Sequence, residues 1–410
     1  MIGMIGAVGA AGVMPNPAAR ADAKPPPPPA VDLITFAHGA LPVAATIDGK
    51  AQGVELEGLV RATDGSPGRF TLVRSGDAKT VVELVYELPA PTTFTAFAVP
   101  DVAEVPSKHI TFVRQVEVHG SAAAPDRGFA LLASATLAPH ARPDERTALT
   151  MAGGKPPAVR WVKVRLSGGL DLPAGKATLQ FSEVIGHGRQ DTPPLVSHFA
   201  GVWKGRGVLI ELRQQGATVT GCYDSDGGEL SGTVSGNLLR AVGVDPGDKV
   251  KSSFILSVGS DGALRGLRST NGAPFRPYQG PVAPAGTRTT CSAPPPRLGC
   301  GAVIHAINFD FDSATIRPES EQILTELHAG LAGERTATIV IEGHTSSEGA
   351  VSHNLELSRR RAQAVVDELV RRGLDRTRIR ATGKGSARPL APNSDETGRS
   401  MNRRVEVQCT

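Results

Sequence analysis

Between residues 199 and 283 the chain is cut at short, even intervals by glycine-bearing turns. They are Gln215-Gly216, Asp226-Gly227-Gly228, Ser235-Gly236, Asp261-Gly262 and Asn271-Gly272. Glycine accepts positive φ without a Cβ clash, which is what a tight hairpin requires. The intervening runs 208–212, 218–223, 230–234, 237–242, 253–258 and 263–267 are no longer than ordinary strands. Consecutive hairpins of this kind fold into an antiparallel meander, and closure into a small barrel is the expectation. Asp224, Asp226 and Glu229 fall in one of the turns, where their spacing fits a hairpin rather than a calcium-binding loop.

At 410 residues the chain is long enough for two or three domains. Its 47 glycines, 32 prolines and low aromatic content (4%) favour turn-rich β domains over one large enzyme core. Residues 31–190 continue the β pattern in runs such as 81–88 and 112–118. In Val159-Arg160-Trp161-Val162-Lys163-Val164-Arg165-Leu166 apolar and basic residues alternate, as in a strand with one wet face. That strand follows the turn His119-Gly120-Ser121 and leads to Phe181-Ser182-Glu183-Val184-Ile185-Gly186-His187-Gly188. The order resembles a discoidin-type (galactose-binding-like) module, which implies a β-sandwich of jelly-roll form. Such modules often bind sugars or lipid head groups; with no aromatic or Asp/Asn cluster to build a sugar platform, a structural or protein-contact role is expected here. Gly201-Val202-Trp203 resembles the opening of lipocalin- and avidin-like barrels, which implies a small barrel over 199–283.

The start of the chain reads as an export signal over residues 1–23. An apolar run at 2–14 is followed by Ala19-Arg20-Ala21 and Ala21-Asp22-Ala23, both compatible with cleavage, although no basic residue precedes the run. Residues 24–30 form a polyproline-type spacer, and 191–198 and 284–299 read as linkers. In an exported chain the four cysteines, Cys222, Cys291, Cys300 and Cys409, are disulfide candidates, since none forms a C-x-x-C metal pair. Cys300 and Cys409 bracket the last module and Cys222 with Cys291 would tie the one before it, but three pairings are open. A net charge of +4, with both signs interleaved, points away from nucleic acid as a partner. No His-Glu-x-x-His, Gly-x-Ser-x-Gly or phosphate-binding loop is present, so neither an enzyme nor a cofactor is expected.

Residues 300–410 change character. A strand at 305–311, a helix opened by Pro318, a strand at 337–342, a helix over 354–372 stopped by Gly373, and strands at 378–382 and 403–408 give a β-α-β-α-β-β order. Between the second strand and the second helix lie Gly343-His344-Thr345-Ser346-Ser347-Glu348-Gly349 and then Asn354-Leu355-Glu356-Leu357-Ser358-Arg359-Arg360-Arg361-Ala362. With Phe309, Phe311, Gly383-Lys384-Gly385, Pro389, Asn393, Gly398-Arg399 and Asn402-Arg403-Arg404-Val405, this region resembles the OmpA-like peptidoglycan-binding domain.

The resemblance implies an α+β fold and non-covalent capture of the diaminopimelate of peptidoglycan stem peptides. Arg361 would grip a ligand carboxylate, its planar fork suiting two hydrogen bonds, from a position flanking the apolar stripe of Leu357 and Val365. Thr345 would offer hydroxyl and backbone groups, and Asn354 would cap the helix and order the loop. Ser346 departs from the family pattern, which has an aspartate to receive the ligand's ammonium. A neutral hydroxyl costs about 1–2 kcal/mol relative to a charged partner, and Glu348 is the candidate replacement. The expected protein is thus a non-enzymatic envelope protein, exported to the periplasm and outer-membrane surroundings, that docks on peptidoglycan and presents β modules to a glycan or an envelope protein. The alternative is a scaffold that has lost wall binding at Ser346.

Overall fold

The computed structural model describes residues 31–410 apart from 53–58, 66–67, 69, 77–78, 105–106, 108, 140–144, 170–176, 197, 225–227, 246–249, 290, 292 and 335–337. The export signal, the polyproline spacer and Asp226 lie outside the described residues.

The first region is built on one 19-residue strand, Val82–Pro100. Its first half pairs with Leu41–Ile47 and Val159–Ser167, its second half with Ile185–Gln190 and Arg146–Ala148, in a nine-stranded sheet. A second, three-stranded sheet joins Phe70–Gly76 to Ala177–Phe181 and, in parallel, to Ile110–Phe112. Residues of both sheets share one core, in which Leu84, Tyr86, Phe94, Val118, Val162 and Val164 meet Phe70, Leu179 and Phe181. The alternation read in 159–166 places the valines inward while Lys163 and Arg165 pair with Glu83 on the wet face.

Residues 201–277 form the meander, eight strands in sequential order from Gly201–Gly205 to Arg276–Pro277. The described turn residues Gly216, Gly236, Gly262, Asn271 and Gly272 have positive φ, as tight hairpins demand. The sheet closes on itself through residues 280–283. Gly280 exchanges hydrogen bonds with Leu264, while Ala283 N donates to Val202 O and Lys204 N to Pro281 O. Trp203, Ile210, Val219, Tyr223, Leu239, Phe254 and Leu256 fill the interior. Asp224 is engaged at one mouth, paired with Arg268 at 2.5 Å beneath the rings of Tyr223, Phe254 and Tyr278.

The C-terminal sheet has the spatial order Val303–Ile304, Arg404–Cys409, Ile339–His344, Ile379–Gly385, with only the last pair parallel. Helices α1 (Glu321–Ala332) and α2 (Val351–Arg371) pack on it through Ile323, Leu327, Leu331, Val365 and Leu369. A short helix α3 (Glu396–Asn402), absent from the expected order, precedes the last strand. Two further expectations are corrected. The strand expected over 305–311 is reduced to Val303–Ile304 and one bridge from Phe309 to Ile316. The physical reason is that its polar groups turn to the barrel: His305 N donates to Thr233 Oγ1, and Asn308 Nδ2 donates to Ser235 Oγ.

The segments expected as loose linkers are packed. Val196 N donates to Gly236 O and Val196 O accepts from Gln214; Ala293 and Leu298 are buried; Thr220 Oγ1 donates to Pro294 O. A fourth apolar cluster joins all three regions, with Phe36, Leu41 and Val60 against Leu238, Ile255 and Leu267 and against Ala391 and Met401. Glu326 of α1 adds a polar clasp, accepting from Ala217 N and Thr218 Oγ1 of the barrel at 3.0 Å. Disulfides join Cys222 to Cys291 and Cys300 to Cys409.

Candidate functional site

The site lies where the strand Ile339–His344 hands over to α2. Helix and strands approach so closely that only glycine fits: a Cβ on Gly343 would lie 2.2 Å from Ser358 O, and one on Gly383 would lie 2.6 Å from Arg359 N. Ser358 exploits the approach, its Oγ accepting from Gly385 N at 2.9 Å and donating to Leu355 O. Leu357 is buried, which fixes this stretch of α2 beside the loop.

The loop 344–350 is stapled on several sides. Thr345 N donates to Gly385 O, and Ser347 N to Asn393 Oδ1, itself held by Asn402 Nδ2. Gly349 takes φ +86°. Asn354 corrects an expectation. Helix α2 starts three residues earlier than expected, with Ala350 at its cap, so Asn354 lies inside the first turn and donates to Glu348 O at 2.8 Å. It orders the loop as a donor and does not cap the helix.

The side chains named from the sequence fall as follows. Thr345 and Ser346 are buried, and Thr345 Oγ1 has no hydrogen-bond partner among the described residues. Ser346 Oγ donates to Glu348 Oε2 at 3.1 Å. Glu348 is well exposed, and the same oxygen lies 3.6 Å from Arg399 Nε and 3.8 Å from Arg403 Nη1. Arg361 is partly committed, which the sequence did not suggest. Its Nε donates to Ser313 O at 2.9 Å and its Nη2 to Asp310 O, while the guanidinium sits 5.0 Å over the Phe309 ring. Burial, reinforced by Arg403, pulls Arg361 down to about 10, still cationic at neutral pH. A guanidinium has five N–H donors, so an edge of Arg361 remains for a ligand carboxylate. The Asp310–Ser313 turn is tied down a second time by Asp312, 2.6 Å from His353 Nε2.

Sequence reasoning noted Asn393, Arg399, Asn402 and Arg403 only as matching positions. Their roles, supporting the loop and flanking Glu348, depend on α3 folding back from about 50 residues downstream, and no local spacing signals that. Beneath the loop, Glu342, His344 and Glu406 gather within metal-ligating distance of one another. Their carboxylates are spent on Lys384 (3.0 Å) and Arg404 (2.6 Å), and burial, helped by Arg404, pulls His344 down to about 3. A divalent ion there would face cations, so the cluster acts as the floor of the loop.

Comparison with known proteins bears on this part of the chain. Residues 308–403 match the model of the OmpA family. Outer membrane protein A of Bordetella avium is 41% identical over 100 residues, covering 24% of this chain and 52% of that protein. The peptidoglycan-associated lipoprotein of Pseudomonas aeruginosa is 35% identical over 100 residues, 24% of this chain and 59% of that protein. Peptidoglycan-binding protein ArfA of Mycobacterium tuberculosis is 36% identical over 122 residues, 28% of this chain and 37% of that protein. The chain therefore spans about half or less of most of the relatives it matches. Among solved structures, the peptidoglycan-associated lipoprotein from Burkholderia pseudomallei is 29% identical, covering 25% of this chain and 88% of that one, with a TM-score of 0.24. The C-terminal region is an OmpA-like domain.

Proposed function

We propose that the OmpA-like domain docks this protein on peptidoglycan by gripping, without covalent chemistry, the zwitterionic centre of a diaminopimelate-type stem peptide. The free edge of Arg361 takes the ligand carboxylate. The ammonium goes to Glu348, which Ser346 orients, with Thr345 lending its unpartnered hydroxyl and Asn354 and Leu357 fixing the frame. The observation that carries this reading is the 3.1 Å hydrogen bond from Ser346 to Glu348. It supplies a carboxylate in the loop whose family pattern has an aspartate in place of Ser346. Support for the wall as target comes from the family match and from relatives whose names state peptidoglycan binding or association. On this reading the protein is an exported, non-enzymatic envelope protein of a Gram-negative-type periplasm. Its jelly-roll-like and barrel modules serve as contact surfaces for a glycan or an envelope protein.

One observation favours the second reading, a scaffold without wall affinity. Arg399 and Arg403 lie close enough to Glu348 to neutralise part of the charge that an ammonium needs. Cosedimentation of the whole chain with diaminopimelate-type sacculi separates the two. The intact chain is required, because Ala391 and Met401 belong to a core shared with the β regions. Under the leading reading wild type pellets and Arg361→Ala stays in the supernatant. If neither pellets the scaffold reading stands, and if both pellet alike wall binding does not run through this site.

A further inference from the structure

Where the three regions meet, an open cavity of about 210 Å³ is bounded by Pro89 and Leu195 from the first region and its connector, Leu238 and Arg240 from the barrel, and Arg317 and Ile323 from the C-terminal region. A cavity of about 150 Å³ accommodates benzene, so this one has room for roughly eight heavy atoms.

Its charge is lopsided. Arg317 is already held by Asp310 at 3.1 Å and faces Glu319 at 3.9 Å, which also lines the cavity. Arg240, in contrast, donates only to neutral oxygens, Ala37 O at 2.6 Å and Ser400 Oγ at 3.4 Å, and has no ion pair among the described residues. Burial, reinforced by Arg403, pulls Arg240 down to about 10, so it stays charged at neutral pH. His38, also on the wall, is kept neutral at about 4, chiefly by burial. Arg317 is thus answered by two carboxylates of its own, which leaves Arg240 as the lining cation without an ion pair among the described residues. The nearby Glu396 opposes the shift of Arg240 but is itself ion-paired with Arg399 and Arg403. A half-buried guanidinium without an ion pair of its own is costly, a cost that a bound anion relieves. The rest of the lining is apolar or neutral.

We infer that this cavity is a binding site for a small organic monocarboxylate with a short apolar tail, its carboxylate on Arg240 and its tail against Leu195, Leu238 and Ile323. The occupant would touch all three regions and so hold them in one arrangement. Nothing in the wall-binding reading requires it, and the two sites use different residues.

Isothermal titration of the whole chain tests the site, with hexanoate as probe and hexanamide and inorganic phosphate as controls. Hexanoate should bind saturably at one site, while hexanamide (no charge) and phosphate (no tail) should bind at least about tenfold more weakly. Arg240→Gln should weaken hexanoate by a similar factor. Leu195→Trp, which fills the cavity from its rim without removing a charge, should do the same and covers the case in which Arg240→Gln fails to fold. The inference is overturned by no saturable hexanoate binding, by equal binding of hexanamide or phosphate, or by unchanged affinity in Leu195→Trp.

Discussion

Ser346 donates its hydroxyl to the Glu348 carboxylate at 3.1 Å, so the loop that lacks an aspartate at 346 acquires an acidic group two residues on. The same carboxylate oxygen lies within 4 Å of Arg399 and Arg403, and Ser346 therefore competes with two cations for its orientation. Ser346→Ala should let Glu348 swing to the arginines and weaken wall binding about fivefold, the worth of roughly 1 kcal/mol of hydrogen bond. Ser346→Asp should bind sacculi more tightly than wild type, by restoring charge deeper in the loop. Cosedimentation isotherms of both variants check the pair.

The shared cluster around Met401 makes a second prediction. Met401 is fully buried among Phe36, Val60, Leu238 and Ile255, residues of the other two regions. Truncation to alanine should cost about 2–5 kcal/mol, as for other buried large-to-small changes. Because the cost falls on a common core, urea unfolding followed by Trp203 fluorescence in a Trp161→Phe background and by helical circular dichroism should shift together. A shift in the helical signal alone would mean that the regions unfold independently.

Disulfide removal gives a third. The Cys300–Cys409 and Cys222–Cys291 bonds close loops with sequence separations of 109 and 69 residues. Loop-closure entropy then predicts a loss of about 4–5 kcal/mol for each, before any relaxation of the reduced state. Cys300→Ser/Cys409→Ser should lower the urea midpoint accordingly. Cys222→Ser/Cys291→Ser should do so by a similar amount.

A fourth concerns pH. Burial raises Asp32 to about 7 and, together with the charge of Asp32, raises Glu183 to about 8. Both folded values lie above the unfolded ones, so the native state holds extra protons. Their contribution is fully present below about pH 4 and is lost as pH rises through 7 to 8. Asp32 Oδ1 accepts from Ile34 N and Gly186 N while Oδ2 is buried with no hydrogen-bond partner among the described residues. Asp32→Asn keeps an acceptor and removes the charge, so it should flatten stability between pH 5 and 8 and stabilise the protein at pH 8. Melting temperatures across that range decide it.

What was legible in the sequence depended on how local the signal was. The barrel's turns declared themselves through single glycines, because positive φ is a property of one residue, and all six expected barrel strands formed. The loop after Gly343 was recognisable as a motif, although the reason for that glycine, the Ser358 carbonyl that a Cβ would strike, is tertiary. Long-range docking was invisible. Phe36, Leu238 and Met401 lie far apart in the chain and share no period, and the bonds that tie Val196 and Pro294 to the barrel leave no local signal either, so segments that pack read as linkers. The strand expected at 305–311 was lost for the same reason, since its apolar alternation at 307, 309 and 311 does not reveal that Thr233 and Ser235 of the barrel compete for its polar groups. Arg361 was found by its place in the motif, yet its bonds to Ser313 and Asp310 required the fold.

On the proposed reading Glu348 supplies the charge absent at Ser346. Calorimetric titration of the whole chain with a soluble diaminopimelate-containing muropeptide tests it most directly, comparing wild type with Glu348→Gln. Saturable binding that weakens at least about tenfold when the carboxylate becomes an amide is expected. Equal affinity in the two proteins, or no binding by wild type, would contradict it.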